Sequence, residues 1–293
     1  MKILITGSES FVGKELIHQC KQKQIDVIGL DIIKKEDSDY EYHQIDIKSP
    51  MIGKFIPEKI DAIVHLAALS RDPDCRDKAY ECFENNVMGT LNLIKNARMK
   101  KVKQFIFASS EWVYDEFKEN QSKDEEHPIN SLSLTSEYAL SKLTSEINLK
   151  QQYQHGFCNT AILRFGIIYG PRKNNWSAVE AIASQIKNKN KIEVGSLKNG
   201  RRFIHVSDIV NGIIKSLGLE GFNTINLSGD KIITIGELIE TSQKFYNKKI
   251  EVIEKNSNEQ NIRNPSNEKA KKVLNWSPGI SLEEGLKTID KFL

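Results

Sequence analysis

Five short apolar runs, at residues 2–6, 26–30, 62–66, 104–108 and 160–164, recur through the first half of the chain. Amphipathic stretches such as 13–23 and 79–99 separate them. Strand-length and helix-period segments in alternation favour a parallel sheet with helices on both faces. The runs are apolar throughout, as strands covered on both sides must be. After Tyr169-Gly170-Pro171 the pattern turns irregular. Helices are predicted over 177–188, 208–217 and 233–245 and a strand over 191–194. The tail is helical at 267–274 and 282–292, around the loop Trp276-Ser277-Pro278-Gly279. A chain of 293 residues is long enough for one large domain with a smaller second lobe. The division predicted is 1–168, with segments around 205–230 returning to its sheet, and a discontinuous lobe over 169–293. No repeat or low-complexity tract interrupts this, and 131–136 reads as an ordered loop.

Charge narrows the partners. With 42 basic and 39 acidic residues the formal charge is +3, and no Lys/Arg block is dense enough to demand nucleic acid or a membrane surface. Cys20, Cys75, Cys82 and Cys158 have no C-x-x-C spacing, so reduced thiols and no metal site are expected. The N-terminal run turns to Gly7 too soon for a signal-peptide core, and no apolar run approaches the roughly 18 residues that span a bilayer. A soluble, cytoplasmic protein is the expectation.

The first run leads into Thr6-Gly7-Ser8-Glu9-Ser10-Phe11-Val12-Gly13 and then a helical pattern. This strand–turn–helix context is that of a dinucleotide fingerprint, in which small residues admit a pyrophosphate and the helix N-terminus (Ser10, Phe11, Val12) supplies N–H donors. Ser10 stands where the middle glycine would be. Asp31, followed by Ile32, ends the second run eighteen residues past Gly13. A carboxylate there accepts the adenosine ribose hydroxyls and repels a 2′-phosphate, favouring NAD over NADP; nearby Lys34 and Lys35 pull the other way. A Rossmann-like doubly wound sheet is therefore predicted.

Tyr138 and Lys142 lie four residues apart in Ser136-Glu137-Tyr138-Ala139-Leu140-Ser141-Lys142, one helical turn on one face. A phenol acts near neutral pH only if its pKa, about 10, falls by roughly three units, and a neighbouring ammonium supplies part of that.

With these residues in order, the chain resembles the extended short-chain dehydrogenase/reductase family, the nucleotide-sugar epimerases and dehydratases, over nearly its whole length. Asp46-Ile47 matches the pair that meets the adenine, and His65-Leu66-Ala67-Ala68 matches the H-x-A-A turn lying against the cofactor. His65 itself reads as packed and hydrogen-bonded, not catalytic. Asn86-Val87-Met88-Gly89-Thr90-Leu91-Asn92-Leu93 matches N-V-x-G-T-x-N-L. In Ala108-Ser109-Ser110-Glu111-Trp112-Val113-Tyr114 the resemblance makes Ser110 the hydroxyl of a Ser–Tyr–Lys set that also touches substrate. Lys142 would then also hold the nicotinamide ribose.

The implied activity is NAD-dependent 4-epimerisation of a nucleotide-activated sugar through a transient 4-keto intermediate. Glu111 occupies the position of an acid that helps eliminate water in 4,6-dehydratases, so that reaction, or 4-keto reduction, stays open; a capping or salt-bridged Glu111 is the structural alternative. An NAD-binding regulator or scaffold is the non-enzymatic reading. Leu163–Arg172 matches L-R-x-x-N-V-Y-G-P-R with Ile167 replacing the asparagine, and Gly200–Asp208 resembles R-D-F-x-H-V-x-D with Arg202 replacing the aspartate. Arg201 would clamp the substrate diphosphate, and Asn175 and Arg263 would add contacts. The resemblance also implies a homodimer built on the helices carrying Asn86 and Tyr138.

Overall fold

The computed structural model describes residues 1–114, 116–118 and 121–293. Along the chain run β1 (Lys2–Thr6), α1 (Phe11–Gln22), β2 (Asp26–Asp31), β3 (Glu41–Gln44), β4 (Ala62–His65), α2 (Asp72–Cys75), α3 (Ala79–Phe83), α4 (Gly89–Met99), β5 (Gln104–Ser110), α5 (Glu137–Gln154) and β6 (Asn159–Phe165). Then follow β7 (Ile167–Tyr169), α6 (Ala178–Asn188), β8 (Lys191–Val194), β9 (Gly200–Arg201), β10 (Phe203–His205), α7 (Val206–Lys215) and β11 (Phe222–Leu227). The last elements are β12 (Ile233–Thr234), α8 (Ile235–Phe245), β13 (Glu251–Glu254), β14 (Ile262–Arg263), α9 (Glu268–Leu274) and α10 (Leu282–Ile289).

The chain forms two compact units. The first comprises residues 1–115, 128–164 and 210–225, and the second 116–127, 165–209 and 226–293. The amino-acid pattern assigns 116–127 and 165–168 to the first unit; both cluster with the second. Lys123 shows why for the former stretch: its N–H donates to Asn264 O (3.1 Å), and its own carbonyl accepts from Ser266 N (2.8 Å). That pairing extends the second unit's sheet structure by one bridge.

The first unit is built on a seven-stranded parallel sheet in the order β11-β6-β5-β4-β1-β2-β3. Chain order reverses between β1 and β4, and such a switch point opens a ligand crevice at the strands' C-terminal ends. β1 and β5 are apolar because both faces are covered: Ile3, Leu4, Ile5, Phe105 and Ile106 are all buried. Each such side chain contributes roughly 1.5–3 kcal/mol of transfer free energy. β3, with sequence Glu-Tyr-His-Gln, was not predicted. It is an edge strand paired only to β2, half exposed, and so carries no apolar run.

The amphipathic stretch 79–99 is one continuous helical run, but its middle, Glu84–Met88, is a π-turn. The extra residue per turn there changes which face Asn86 presents. In α5, Ser136 caps the N-terminus by accepting from Ala139 N (3.3 Å). Its buried residues Tyr138, Lys142, Glu146 and Leu149 recur at helical spacing on one face.

The second unit packs α6, α8 and α10 around Val179, Ile182, Ile186, Leu238, Ile239, Leu286 and Ile289. Each of those helices starts with a reciprocal capping box: Ser177/Glu180, Thr234/Glu237 and Ser281/Glu284. Trp276, fully buried, donates its indole N–H to Asp208 O (3.1 Å), which fixes the loop between α9 and α10.

Candidate active site

The glycine turn is a cradle in which no side chain fits. Gly7 takes φ +70°, and a Cβ on it would lie 2.7 Å from Ala67 N. A Cβ on Gly13 would run into the Gly7 carbonyl. Ser10 N-caps α1, its hydroxyl accepting from Gly13 N at 3.1 Å, so it serves the turn where a glycine would give only space. Phe11 and Val12 open the helix. Leu66, Ala67 and Ala68 form the facing turn after β4, and Thr6 Oγ1 accepts from Ala67 N (3.4 Å) to join the two. Bare backbone, a helix N-terminus and a switch point fit a nucleotide pyrophosphate.

Asp31 closes this end. Its carboxylate accepts from Glu9 N (2.8 Å) and Ile33 N (3.1 Å), which fixes it at the turn, while Ile32 is exposed. Asp46 accepts from Lys48 N (2.8 Å). Ile47 differs from its expected adenine contact: its side chain lies in the main core, 7% exposed and packed over Gly89. Asn86 differs too. Its amide is engaged within the protein, accepting from Leu69 N (2.8 Å) and donating to Leu69 O (3.0 Å) and Ser141 Oγ (3.0 Å). It therefore ties the 66–69 turn to α5.

His65 is 1% exposed and bonded at both ring nitrogens, to Thr6 Oγ1 (2.7 Å) and Thr90 Oγ1 (2.9 Å). Burial, with help from the nearby Lys142 charge, brings its pKa down to about 3. It is a packed, neutral imidazole.

Ser110, Tyr138 and Lys142 come together where β5 ends against α5. The Ser110 hydroxyl accepts from Trp112 N (3.3 Å) and favours the ionised form of the Tyr138 phenol. Lys142 Nζ donates to Ala108 O (2.8 Å) and lies 4.9 Å from the Phe107 ring centroid and 5.9 Å from that of Tyr138. One expectation is corrected here. Burial pushes the Tyr138 phenol up to about 12, and the Ser110 hydroxyl, not Lys142, is the group that opposes it. Burial brings Lys142 itself down to about 8. Two fully enclosed groups each favour the neutral form, because the low-dielectric interior penalises either charge. Glu111 is fully buried at the start of the short 3₁₀ turn that follows Ser110.

Supporting residues escaped the sequence reading. Glu146, one turn past Lys142, accepts from Ser109 Oγ and pairs with Arg164 on β6 at 2.6 Å. Arg164 also donates to Tyr114 Oη (3.0 Å). The signal that could have found Glu146 is the i, i+4 continuation of the Tyr138–Lys142 face.

In the second unit, a cavity of about 350 Å³ is lined by Arg201, Asn199, Ser196, Ile167, Phe203 and Ile235, among others. Arg201 donates to Gly200 O (2.7 Å) and Asn261 O (2.6 Å). Arg263 sits directly beside it in register on β14, its guanidinium 5.0 Å from the Phe117 ring centroid. Asn175 stands in the exposed loop before α6 at φ +56° and is not part of the cavity lining. Ile167, which replaces an asparagine, makes that wall apolar. Arg202 donates to Asn264 Oδ1 (2.6 Å) and Gly229 O (3.0 Å), a structural role for the residue that replaces an aspartate.

Comparison with known proteins decides the family: the model of the NAD dependent epimerase/dehydratase family matches residues 3–227. The chain belongs to that family of enzymes. It is 28% identical to the UDP-glucuronate 4-epimerase of Thermodesulfobacterium geofontis, over 97% of this chain and 93% of that protein. It is 27% identical to UDP-glucuronic acid decarboxylase 1 of Arabidopsis thaliana, over 98% of this chain and 68% of the other. The solved structure of Thermus thermophilus UDP-glucose 4-epimerase in complex with NAD has the same fold, with TM-score 0.86, 23% identity, and coverage of 100% and 99% of the two chains. So has UDP-glucuronic acid 4-epimerase from Bacillus cereus, in complex with UDP-glucuronic acid and NAD, with TM-score 0.85, 24% identity, and coverage of 100% and 98%.

Proposed function

We propose that this family member inverts C4 of a nucleotide-activated sugar, a UDP-sugar on the pattern of its relatives. The observation that carries the reading is the burial of Ser110, Tyr138 and Lys142 together where β5 ends, with Lys142 Nζ on Ala108 O (2.8 Å) and 5.9 Å from the Tyr138 ring centroid. Bound NAD supplies a reversible hydride acceptor. Gly7, Ser10, Phe11, Val12 and Gly13 would hold its pyrophosphate; Asp31 with Ile32, Asp46, and Leu66, Ala67 and Ala68 would frame the adenosine and the inner wall. Asn86 and Ile47 act indirectly, by holding those walls in place.

The protein's own tasks are proton transfer and positioning. Ser110 would hydrogen-bond the sugar 4-hydroxyl, and Tyr138, as phenolate, would take its proton and later return it. Lys142 would hold the nicotinamide ribose. Burial holds the phenol up in the protein alone, and positive charge brought by ligands would favour its ionised form. Arg201 and Arg263 would hold the substrate diphosphate and Asn175 would contact the nucleotide, with the apolar cavity beside Arg201 taking the base. A planar guanidinium suits that clamp.

A second reading is 4,6-dehydration, motivated by the buried Glu111 next to Ser110. NMR of products after incubation with NAD and a panel of UDP-sugars separates the two. Inversion at C4 is expected; a 4-keto-6-deoxy product would instead establish dehydration, and no turnover with nucleotide still bound would leave a regulator. Tyr138→Phe should lower turnover by about 10²–10⁴-fold while nucleotide binding is retained. Near-normal turnover in that variant would end the proton-transfer assignment.

We also propose a cytoplasmic homodimer. Met88, Leu140 and Ile147 are exposed on the π-turn and α5, at 59%, 40% and 53%, and such apolar surface favours a second copy. Among the described residues no helix is long and apolar enough to cross a membrane.

A further inference from the structure

The glycine turn carries an acid that neither the pyrophosphate nor the proton chemistry explains. Glu9 follows Ser8 in the turn, and its own N–H donates to the Asp31 carboxylate (2.8 Å). Its backbone therefore stands beside the group that would receive the adenosine ribose hydroxyls. Its side chain is only 10% exposed and is gripped from three sides. Tyr40 Oη donates to Oε1 (2.7 Å), Lys35 Nζ donates to the same oxygen (2.8 Å), and Lys14 Nζ lies 3.5 Å from Oε2. Lys35 is further held by Tyr40 Oη (3.4 Å) and lies 4.6 Å from the Tyr40 ring centroid. Lys34 instead faces Glu36 at 3.9 Å, with both groups in solvent.

Burial alone would raise the Glu9 carboxyl, but the hydrogen bonds from Lys35 and Tyr40 outweigh it and hold the group below the ordinary carboxylate range. Glu9 is thus ionised at neutral pH. Of the two lysines in the stretch after Asp31, Lys35 is spent on a carboxylate of the turn itself.

We propose that Glu9 is a specificity residue for the cofactor: by holding the Lys35 ammonium against the glycine turn, it lets Asp31 accept a free 2′-hydroxyl and keeps Lys35 from receiving a 2′-phosphate. A dianionic phosphate placed at Asp31 meets two carboxylates, and the lysine that could offset them is already paired. This rests on nucleotide binding to the turn and not on the epimerase reading, so binding alone tests it, whatever reaction the enzyme performs.

The measurement is isothermal titration of the purified, nucleotide-stripped protein with NAD⁺ and with NADP⁺, at fixed low salt. Glu9→Gln keeps the side-chain shape but frees Lys35. It is expected to shift the NAD/NADP affinity ratio toward NADP by about tenfold or more, the size of one screened charge contact, with NAD affinity held within about threefold. In Glu9→Gln/Lys35→Met most of that shift should disappear, and Lys35→Met alone should widen the preference for NAD. An unchanged ratio in Glu9→Gln would overturn the proposal, as would an equal shift in the double variant, because Lys35 would then play no part. Should Glu9→Gln fold poorly, Lys35→Met still decides: a ratio moving toward NADP in that variant contradicts the proposal directly.

Discussion

Lys142 is the residue whose environment is least comfortable. Burial lowers its pKa from 10.5 to about 8, which means the folded protein disfavours the charged form relative to the unfolded chain. At pH 7 the group is protonated in both states, so the folded state bears the full cost, about 3 kcal/mol at about 1.4 kcal/mol per unit. Lys142→Met is therefore expected to raise stability by about 2–3 kcal/mol in urea unfolding, the lost bond to Ala108 O taking back a part, while turnover falls by about 10²-fold or more. His65 runs in the same direction at lower pH. Its folded pKa of about 3 lies below the ordinary 6.5, so the unfolded chain binds its proton first as pH falls. Stability is complete above about 6.5 and is lost at about 1.4 kcal/mol per pH unit from there toward 3. Unfolding midpoints at pH 7 and pH 5 check this, and His65→Gln should flatten the slope.

At the level of elements, the site depends on how β5, α5 and β6 are tied together. Glu146 of α5 takes the Ser109 hydroxyl of β5 and the Arg164 guanidinium of β6, both ion-pair partners being 6% exposed. Arg164→Met strands the carboxylate and is expected to cost about 3–5 kcal/mol, whereas Glu146→Leu/Arg164→Met together should recover most of it. A double-mutant cycle in urea reads that coupling; additive losses would mean the pair does not act as a unit. These elements also show how far the amino-acid pattern reaches. Apolar runs located β1, β2, β4, β5 and β6 to within one or two residues, since strands covered on both faces leave a strong signal. β3 escaped because an edge strand is free to be polar. The π-turn at Glu84–Met88 escaped because one extra residue in a helix barely disturbs its period, and yet that turn decides where Asn86 points. Tyr138, Lys142 and Ser110 were legible from spacing and motif, whereas the depth of their burial, which reverses the expected shift of the phenol, depends on packing that no local pattern records.

For the molecule as a whole, the proposed dimer face is tested at the exposed apolar residues of α5, Leu140 and Ile147. Ile147→Glu, at a 53% exposed position, should leave the fold intact and convert the proposed dimer to a monomer in light scattering; a variant that stays dimeric would move the proposed interface elsewhere. The boundary between the two units' sequences was not legible, because the stretch 116–127 joins its unit through backbone pairing at Lys123, which leaves no apolar period.

The close approach of Gly7 to Ala67 has a consequence in time. The two residues are sixty positions apart and meet only once β1 and β4 have paired, a contact that forms late because a long loop must close first. A nucleotide therefore has nothing to grip until the sheet exists. Added to the protein it should leave the refolding rate unchanged and slow unfolding, and at about a hundredfold excess over its dissociation constant it should add about 2.7 kcal/mol to stability. Newly made chains would then escape proteolysis to the degree that they have captured their nucleotide, so the supply of NAD in the cell would set how long the enzyme lasts as well as how it works.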